Sequence, residues 1–418
     1  MLSILGQTLR LAAARWPVLL AWYLAGWLGR YLAIELAATL GATNALLGLL
    51  VMPLAILARL ASFIGMFLVL RDSMPAFSDL KRSGLDDVDR TQPRGARAAQ
   101  VYDIFLVSIV PFFAFYAAWK FLGEDTVAYA ISSLAKIDVF DEDYTPGGRV
   151  LDVQVNWASI TAIIVAFAAR YLIKRYQAKL PKWTPIVSVY LEAVWVYLTV
   201  FLISTYFAQF DAWVANRAAM HWMADLRGSV GDVFAPIGVA WDAIAWGIGE
   251  AGALVLLPVA WLALAGIVYG RALTAGPLGL RVPTNRYADR VRTRYARVPK
   301  AVSRRFMDVG AGFVGRWKPL ANALTLVWRA GVVPMGIFVL AYTVIEASGA
   351  WLGFGATRLI GAHDLESWWM NVDGALIFGL DVLLEPLRIC LIAAGYDYCL
   401  RRLSERRDAA AVADPVPA

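Results

Sequence analysis

Charge, histidine and cysteine are all scarce in this chain. Charged residues fill 17% of 418 positions, against about 25% in an average soluble domain, which excludes an ordinary water-solvated fold. Two histidines, His221 and His363, are too few for an HExxH zinc site or a histidine relay. The two cysteines, Cys390 and Cys399, lie together near the end of the last apolar segment and supply neither a disulfide framework nor a Cys-based metal site. There is no GxxxxGK[ST] loop to cradle a nucleotide phosphate and no GxSxG element of an acyl hydrolase. No cofactor and no resident metal are expected from this inventory.

Apolar residues are abundant: 60% of the chain is hydrophobic, and mean hydropathy is +0.59. Such a composition excludes intrinsic disorder and leaves no room for a large extramembrane catalytic domain. It predicts an all-α, polytopic transmembrane helix bundle. A span needs about 20 mainly apolar residues to cross about 30 Å of hydrocarbon. Eight windows qualify, at 16–38, 44–70, 102–122, 157–177, 185–207, 250–270, 322–346 and 373–399. They make residues 1–400 a single membrane domain, with a basic loop at 271–320 and a disordered tail at 401–418. The segment before the first window, with Arg10 and Arg15, resembles a signal-peptide n-region. The run behind it is long, carries Arg30 and Glu35 and has no small-residue cleavage site, so it is expected to be retained.

The formal charge of +7 is not spread evenly. With the N-terminus inside, segments 1–16, 71–100, 170–183, 271–320 and 399–418 hold 29 of the 39 basic residues. The intervening outer segments hold Lys136, Arg149, Arg217, Arg227 and Arg358, and acids collect there from Glu124 to Asp152. This asymmetry predicts eight spans with both termini cytoplasmic. The preponderance of arginine over lysine, and the abundant alanine, fit a GC-rich bacterial genome and hence a bacterial plasma membrane. In the basic loop, cations interleave with Tyr287, Tyr295 and Phe306. Anionic headgroups at the cytoplasmic face explain that run more economically than nucleic acid does.

The outer segments 123–156, 208–249 and 347–372 are long. Trp213, Trp222, Trp241 and Trp246 predict interfacial or partly re-entrant helices in the second of them, and such loops offer a surface to a partner or a second copy. The acidic run Asp138–Tyr144 lacks the glycine and spacing of a calcium loop and reads as a solvated turn. Spans two, six and eight share a central proline after leucines (Pro53, Pro258, Pro386), and spans three and seven hold Pro111 and Pro334. Three odd spans are entered through a basic-Trp-(x)-Pro element at Arg15–Pro17, Lys182–Pro185 and Arg316–Pro319, with proline at a helix start. The pattern suggests a tandem of two-helix hairpins, an architecture common to transporters and to non-transporting bundles.

An ionisable residue at bilayer depth costs about 2.5–3.5 kcal/mol on insertion scales and needs a partner or water. Counting ~1.5 Å per residue from the cytoplasmic basic residues places Arg59, Glu192, Arg329 and Arg388 near one level. Glu385 lies one turn above Arg388, and Asp381 shares their helix face. The candidate substrate-binding set is therefore Arg59, Glu192, Arg329, Glu385 and Arg388, with Arg30, Asp381, His221, His363 and Asp364 as lesser candidates. Arginines at one level favour an anion or a lipid phosphate. The alternative expectation is that Glu192, Glu385 and Asp381 pair with Arg59, Arg329 and Arg388 and only lock the helices together. Three functions follow: a transporter or permease for an anionic solute or lipid, a scaffold or envelope-assembly factor, or a membrane enzyme on a lipid-linked substrate using His363, Asp364 and His221.

Overall fold

A computed structural model describes residues 2–75, 94–118, 121–136, 157–176, 179–181, 183–217, 252–274 and 331–413, with 243, 246 and 325 as single positions. Every element among the described residues is helical. In chain order they are α1 (Leu2–Thr43), α2 (Ala45–Arg71), α3 (Arg94–Ala118), α4 (Phe121–Leu134) and α5 (Trp157–Arg175). Then come α6 (Thr184–Ala215), α7 (Leu257–Thr274), α8 (Val332–Ile360) and α9 (Met370–Ala413). Five-residue π turns at Gly252–Leu256 and Leu365–Trp369 precede α7 and α9. The first ends immediately before Leu257-Pro258, where the missing proline N–H interrupts the regular ladder.

Each apolar window overlaps one of these helices. Four helices among the described residues, α1, α2, α6 and α8, are long and apolar enough to cross a membrane, and the α3–α4 pair makes a fifth if it is one broken span. The apolar stretches of α5 and α7 are shorter. In α9 the run is interrupted by Asp381, Glu385, Arg388 and Asp397.

Several boundaries differ from the sequence expectation. α1 starts at Leu2, so Pro17 lies inside the helix instead of at its entry, whereas Pro185 does stand at the start of α6. Arg316–Pro319 lies outside the described residues. The outer segment after window three begins as a helix, α4, bent 81° from α3. α6 continues through Ala215, where the Arg217 guanidinium lies 3.5 Å from the Trp213 ring centroid, while Trp222 and Trp241 are outside the described residues. α8 runs from 332 to 360 instead of 322 to 346, so the supposed outer loop 347–372 shrinks to the turn 361–364 and a π turn. The tail expected to be disordered from 401 is helical to Ala413.

The chain forms two compact units. One contains 1–25, 61–111 and 258–418; the other contains 26–60 and 112–257. In the first, α7 is buried on all sides from Ala260 to Tyr269, as expected of a helix at the centre of a bundle. Phe63 meets Trp261 edge-on at 4.9 Å, and Tyr269 lies 5.7 Å from Phe67 and 5.3 Å from Tyr396. Close approach requires glycine twice: a Cβ on Gly65 would stand 2.5 Å from the Trp22 ring, and one on Gly395 2.8 Å from Phe338. Cys390 and Cys399 are buried in this unit as free thiols. In the second unit, Met52, Ile56, Tyr129 and Tyr197 are fully buried. The Tyr129 hydroxyl occupies the space that side chains at Gly41 and Gly48 would need. Tyr190 donates to the Leu50 carbonyl at 2.8 Å, in the turn of α2 that Pro53 interrupts.

Candidate functional site

In the first unit, α8 and α9 form an antiparallel hairpin closed at Gly361, whose φ of 90° favours glycine. Leu384 packs over Gly349 and Leu380 over Gly353, a small-xxx-small spacing that lets the helices approach closely. That register sets Tyr342 and Glu346 of α8 against Arg388 of α9. Arg388 Nη1 donates to Glu346 Oε2 at 2.7 Å and to the Tyr342 hydroxyl at 3.3 Å, and Nη2 pairs with Glu385 Oε1.

The three partners differ in exposure. Tyr342 and Glu385 are buried and the Arg388 side chain is 12% exposed, but the Glu346 side chain is 53% exposed. One guanidinium thus holds an inner carboxylate from its own helix and an outer carboxylate from the neighbouring one. Arg388 Nε and Glu385 Oε2, both buried, have no hydrogen-bond partner among the described residues. The cluster thus retains one buried donor and one buried acceptor without partners, and counts two carboxylates to one guanidinium.

Glu346 was not among the sequence candidates. A window ending at 346 put it at the edge of a span; in α8 it is the central residue. Asp381 is exposed one turn before Glu385 on α9. Arg329 and His221 lie outside the described residues.

Arg59 and Glu192 belong to the second unit. Glu192, buried on α6, pairs with Arg170 of α5, a residue the sequence reading had placed in a cytoplasmic loop. Arg59 donates to the Tyr116 hydroxyl at 3.3 Å, and its guanidinium carbon lies 4.8 Å from the Phe121 ring centroid. Tyr116 donates in turn to Asp125 Oδ2, while Arg30 Nε donates to Asp125 Oδ1 at 2.7 Å. Asp125 is completely buried, which corrects its assignment to an acidic outer loop. Its position was legible in principle: Leu122, Asp125, Tyr129, Ala130 and Ser133, the buried positions of α4, follow a helical spacing. Glu35, one turn beyond Arg30, accepts from Ser132 at 2.7 Å and pairs with Lys136.

His363 and Asp364 have local roles. His363 stacks on Trp368 with centroids 4.3 Å apart. Asp364 caps the following π turn by accepting from the Ser367 N–H at 2.8 Å, and these bonds hold its carboxyl below the usual range. Among the described residues no group of three or more His, Cys, Asp or Glu side chains is arranged to hold a metal ion. A further buried carboxylate, Asp397, went unnoticed in the sequence because it sits near the end of an apolar run. It accepts from Gln7 at 2.8 Å and is ion-paired with Arg401 at 3.0 Å, and Arg401 donates to Gln7 Oε1 at 2.9 Å, tying the start of α1 to α9.

No family model, no curated protein and no solved structure matches the chain.

Proposed function

We propose that this chain is an integral protein of a bacterial plasma membrane, of transporter or permease type, that handles an anionic solute or lipid at Arg388. The observation that carries the reading is the two-sided environment of that guanidinium. The buried Glu385 of the same helix already compensates the Arg388 charge; here a second, half-exposed carboxylate, from α8, also occupies it. A carboxylate in that position is chemically what an anionic substrate group presents, and guanidinium binds carboxylate or phosphate in a fork geometry. Exchange of Glu346 for a substrate anion conserves the local charge balance.

The proposed topology is eight spans with both termini cytoplasmic, supported by the sorting of 29 of 39 basic residues to one side. The test is thiol accessibility in sealed vesicles of Glu346→Cys and Asp381→Cys, with Cys390 and Cys399 replaced by alanine. A membrane-impermeant reagent is expected to reach position 346 from one face, while a cysteine at the buried Leu391 stays unlabelled. A position 346 unreactive from both faces contradicts a polar pathway.

A second reading, a non-transporting scaffold, draws on the tip of the hairpin, where Trp351, Leu359, Leu365 and Met370 are all exposed. It predicts capture of a membrane partner that is lost when these residues are made polar, with no dependence on Arg388.

A further inference from the structure

We infer that the second unit holds bound water in its interior, at a site formed by the hydroxyls of Tyr129, Ser133 and Tyr197 beside Asp125. The inference is independent of the reading of Arg388.

A buried polar stripe is the first reason. Asp125, Tyr129 and Ser133 recur at four-residue intervals on α4, and all three are fully buried. Both oxygens of Asp125 are occupied, by Arg30 and Tyr116. The hydroxyls of Tyr129 and Ser133 have no hydrogen-bond partner, nor has that of Tyr197, fully buried on α6. A buried hydroxyl left unbonded forfeits the hydrogen bonds it makes with water in the unfolded chain. Three such groups around one carboxylate call for a shared partner.

Proximity is the second reason. Ser133 follows Tyr129 by one turn, and the two side chains adjoin. Tyr197 lies within electrostatic reach of Asp125, Tyr129 and Tyr116. The Tyr129 hydroxyl and the Ala37 carbonyl oxygen border one notch of the α1–α2 hairpin, at 2.3 and 3.0 Å from the point where a Cβ on Gly48 would stand. Helices α1, α4 and α6 thus bring three hydroxyls and a carbonyl oxygen to one region of the unit.

The chemistry of these groups selects the ligand. Each hydroxyl can donate and accept, and a helical carbonyl has a second lone pair to offer. Buried water makes about three hydrogen bonds of this mixed kind. A cation is repelled by the guanidiniums of Arg30 and Arg59, which bond Asp125 and Tyr116, and an anion is repelled by the Asp125 carboxylate. An apolar ligand leaves the hydroxyls unsatisfied.

The test is X-ray radiolytic footprinting of the full chain in detergent, in which radicals formed from bound water oxidise the side chains beside it. Mass spectrometry reads the rates, corrected for the intrinsic reactivity of each ring, against Phe67, which is fully buried in the other unit. Tyr129 and Tyr197 are expected to be oxidised several-fold faster than Phe67. A rate like that of Phe67 at either tyrosine overturns the inference. Thermal unfolding supplies an independent sign, because Tyr197→Phe deletes one oxygen and keeps the ring. A hydroxyl bonded to water is missed, so the unfolding midpoint is expected to fall. An unchanged or raised midpoint, the mark of a hydroxyl with no partner to lose, overturns the inference. In the double variant Tyr129→Phe with Tyr197→Phe the two losses are expected to be less than additive, since the first already loosens water that the second group holds. Additive losses overturn a shared site.

Discussion

At the scale of the residue, the account depends on how each buried charge is matched. Removing one partner of a buried ion pair costs about 3–5 kcal/mol because the other is left uncompensated. Asp125→Asn is therefore expected to destabilise the chain by about that much, since it strands Arg30 and the Tyr116 hydroxyl, whereas the neighbouring exposed Glu124→Gln is expected to be silent. Thermal unfolding in detergent distinguishes the two; equal effects contradict the assignment of Asp125 as the buried member. Asp364 gives a pH-dependent counterpart. Its carboxyl is lowered in the folded chain by the Ser367 N–H, so the cap is intact above the ordinary carboxylate range and is lost as pH falls through the lowered folded value. Hydrogen exchange at the Ser367 amide is expected to accelerate over that acidic window and to be fast at all pH values in Asp364→Ala. Arg388 and Glu385 were visible in the sequence because two opposite charges three residues apart interrupt an apolar run. Asp125 was hidden because it follows Gly123 and Glu124, which read as the start of a loop, and Arg170 because it stands at the edge of a basic segment.

At the scale of the element, helix boundaries decide which residues lie at mid-span. Hydropathy located α8 only approximately. Its apolar window ended at the first acid, yet the helix continues to Ile360 and turns Glu346 from an end into a centre. The stretch past Glu346 is rich in Gly and Ala and carries Trp351, composition shared by interfacial loops, so nothing local distinguished it from one. What holds it helical is packing on α9 through Gly349 and Gly353. A Cβ at Gly349 would stand 3.3 Å from Leu384 and one at Gly353 3.5 Å from Leu380. Gly349→Val is thus expected to cost about 1–3 kcal/mol by overpacking and to loosen the Arg388–Glu346 contact, while Gly353→Ala is tolerated. Gly395→Ala, pressed against Phe338 with even less space, is expected to be at least as damaging as Gly349→Val; a neutral result there contradicts the packing described. Comparing unfolding midpoints of the three variants checks the order.

At the scale of the whole molecule, every element among the described residues is helical, and several apolar helices were legible from composition alone. Tertiary pairings were not, because a single sequence shows which charges need partners but not which helices meet. The topology makes its own prediction: a green fluorescent protein fusion at Ala418 is expected to fluoresce, and an alkaline phosphatase fusion after Ala362 to be active. The reverse pattern contradicts two cytoplasmic termini. The central claim, that Arg388 holds a place for an anion, is tested most directly by the charge preference of a thiol at the place of Glu346. In Glu346→Cys lacking the native cysteines, an anionic methanethiosulfonate is predicted to react several-fold faster than a cationic one of similar size. That preference is predicted to vanish when Arg388→Gln and Glu385→Gln are added together. Equal rates for the two reagents with Arg388 present, or a preference that survives its removal, contradict the account.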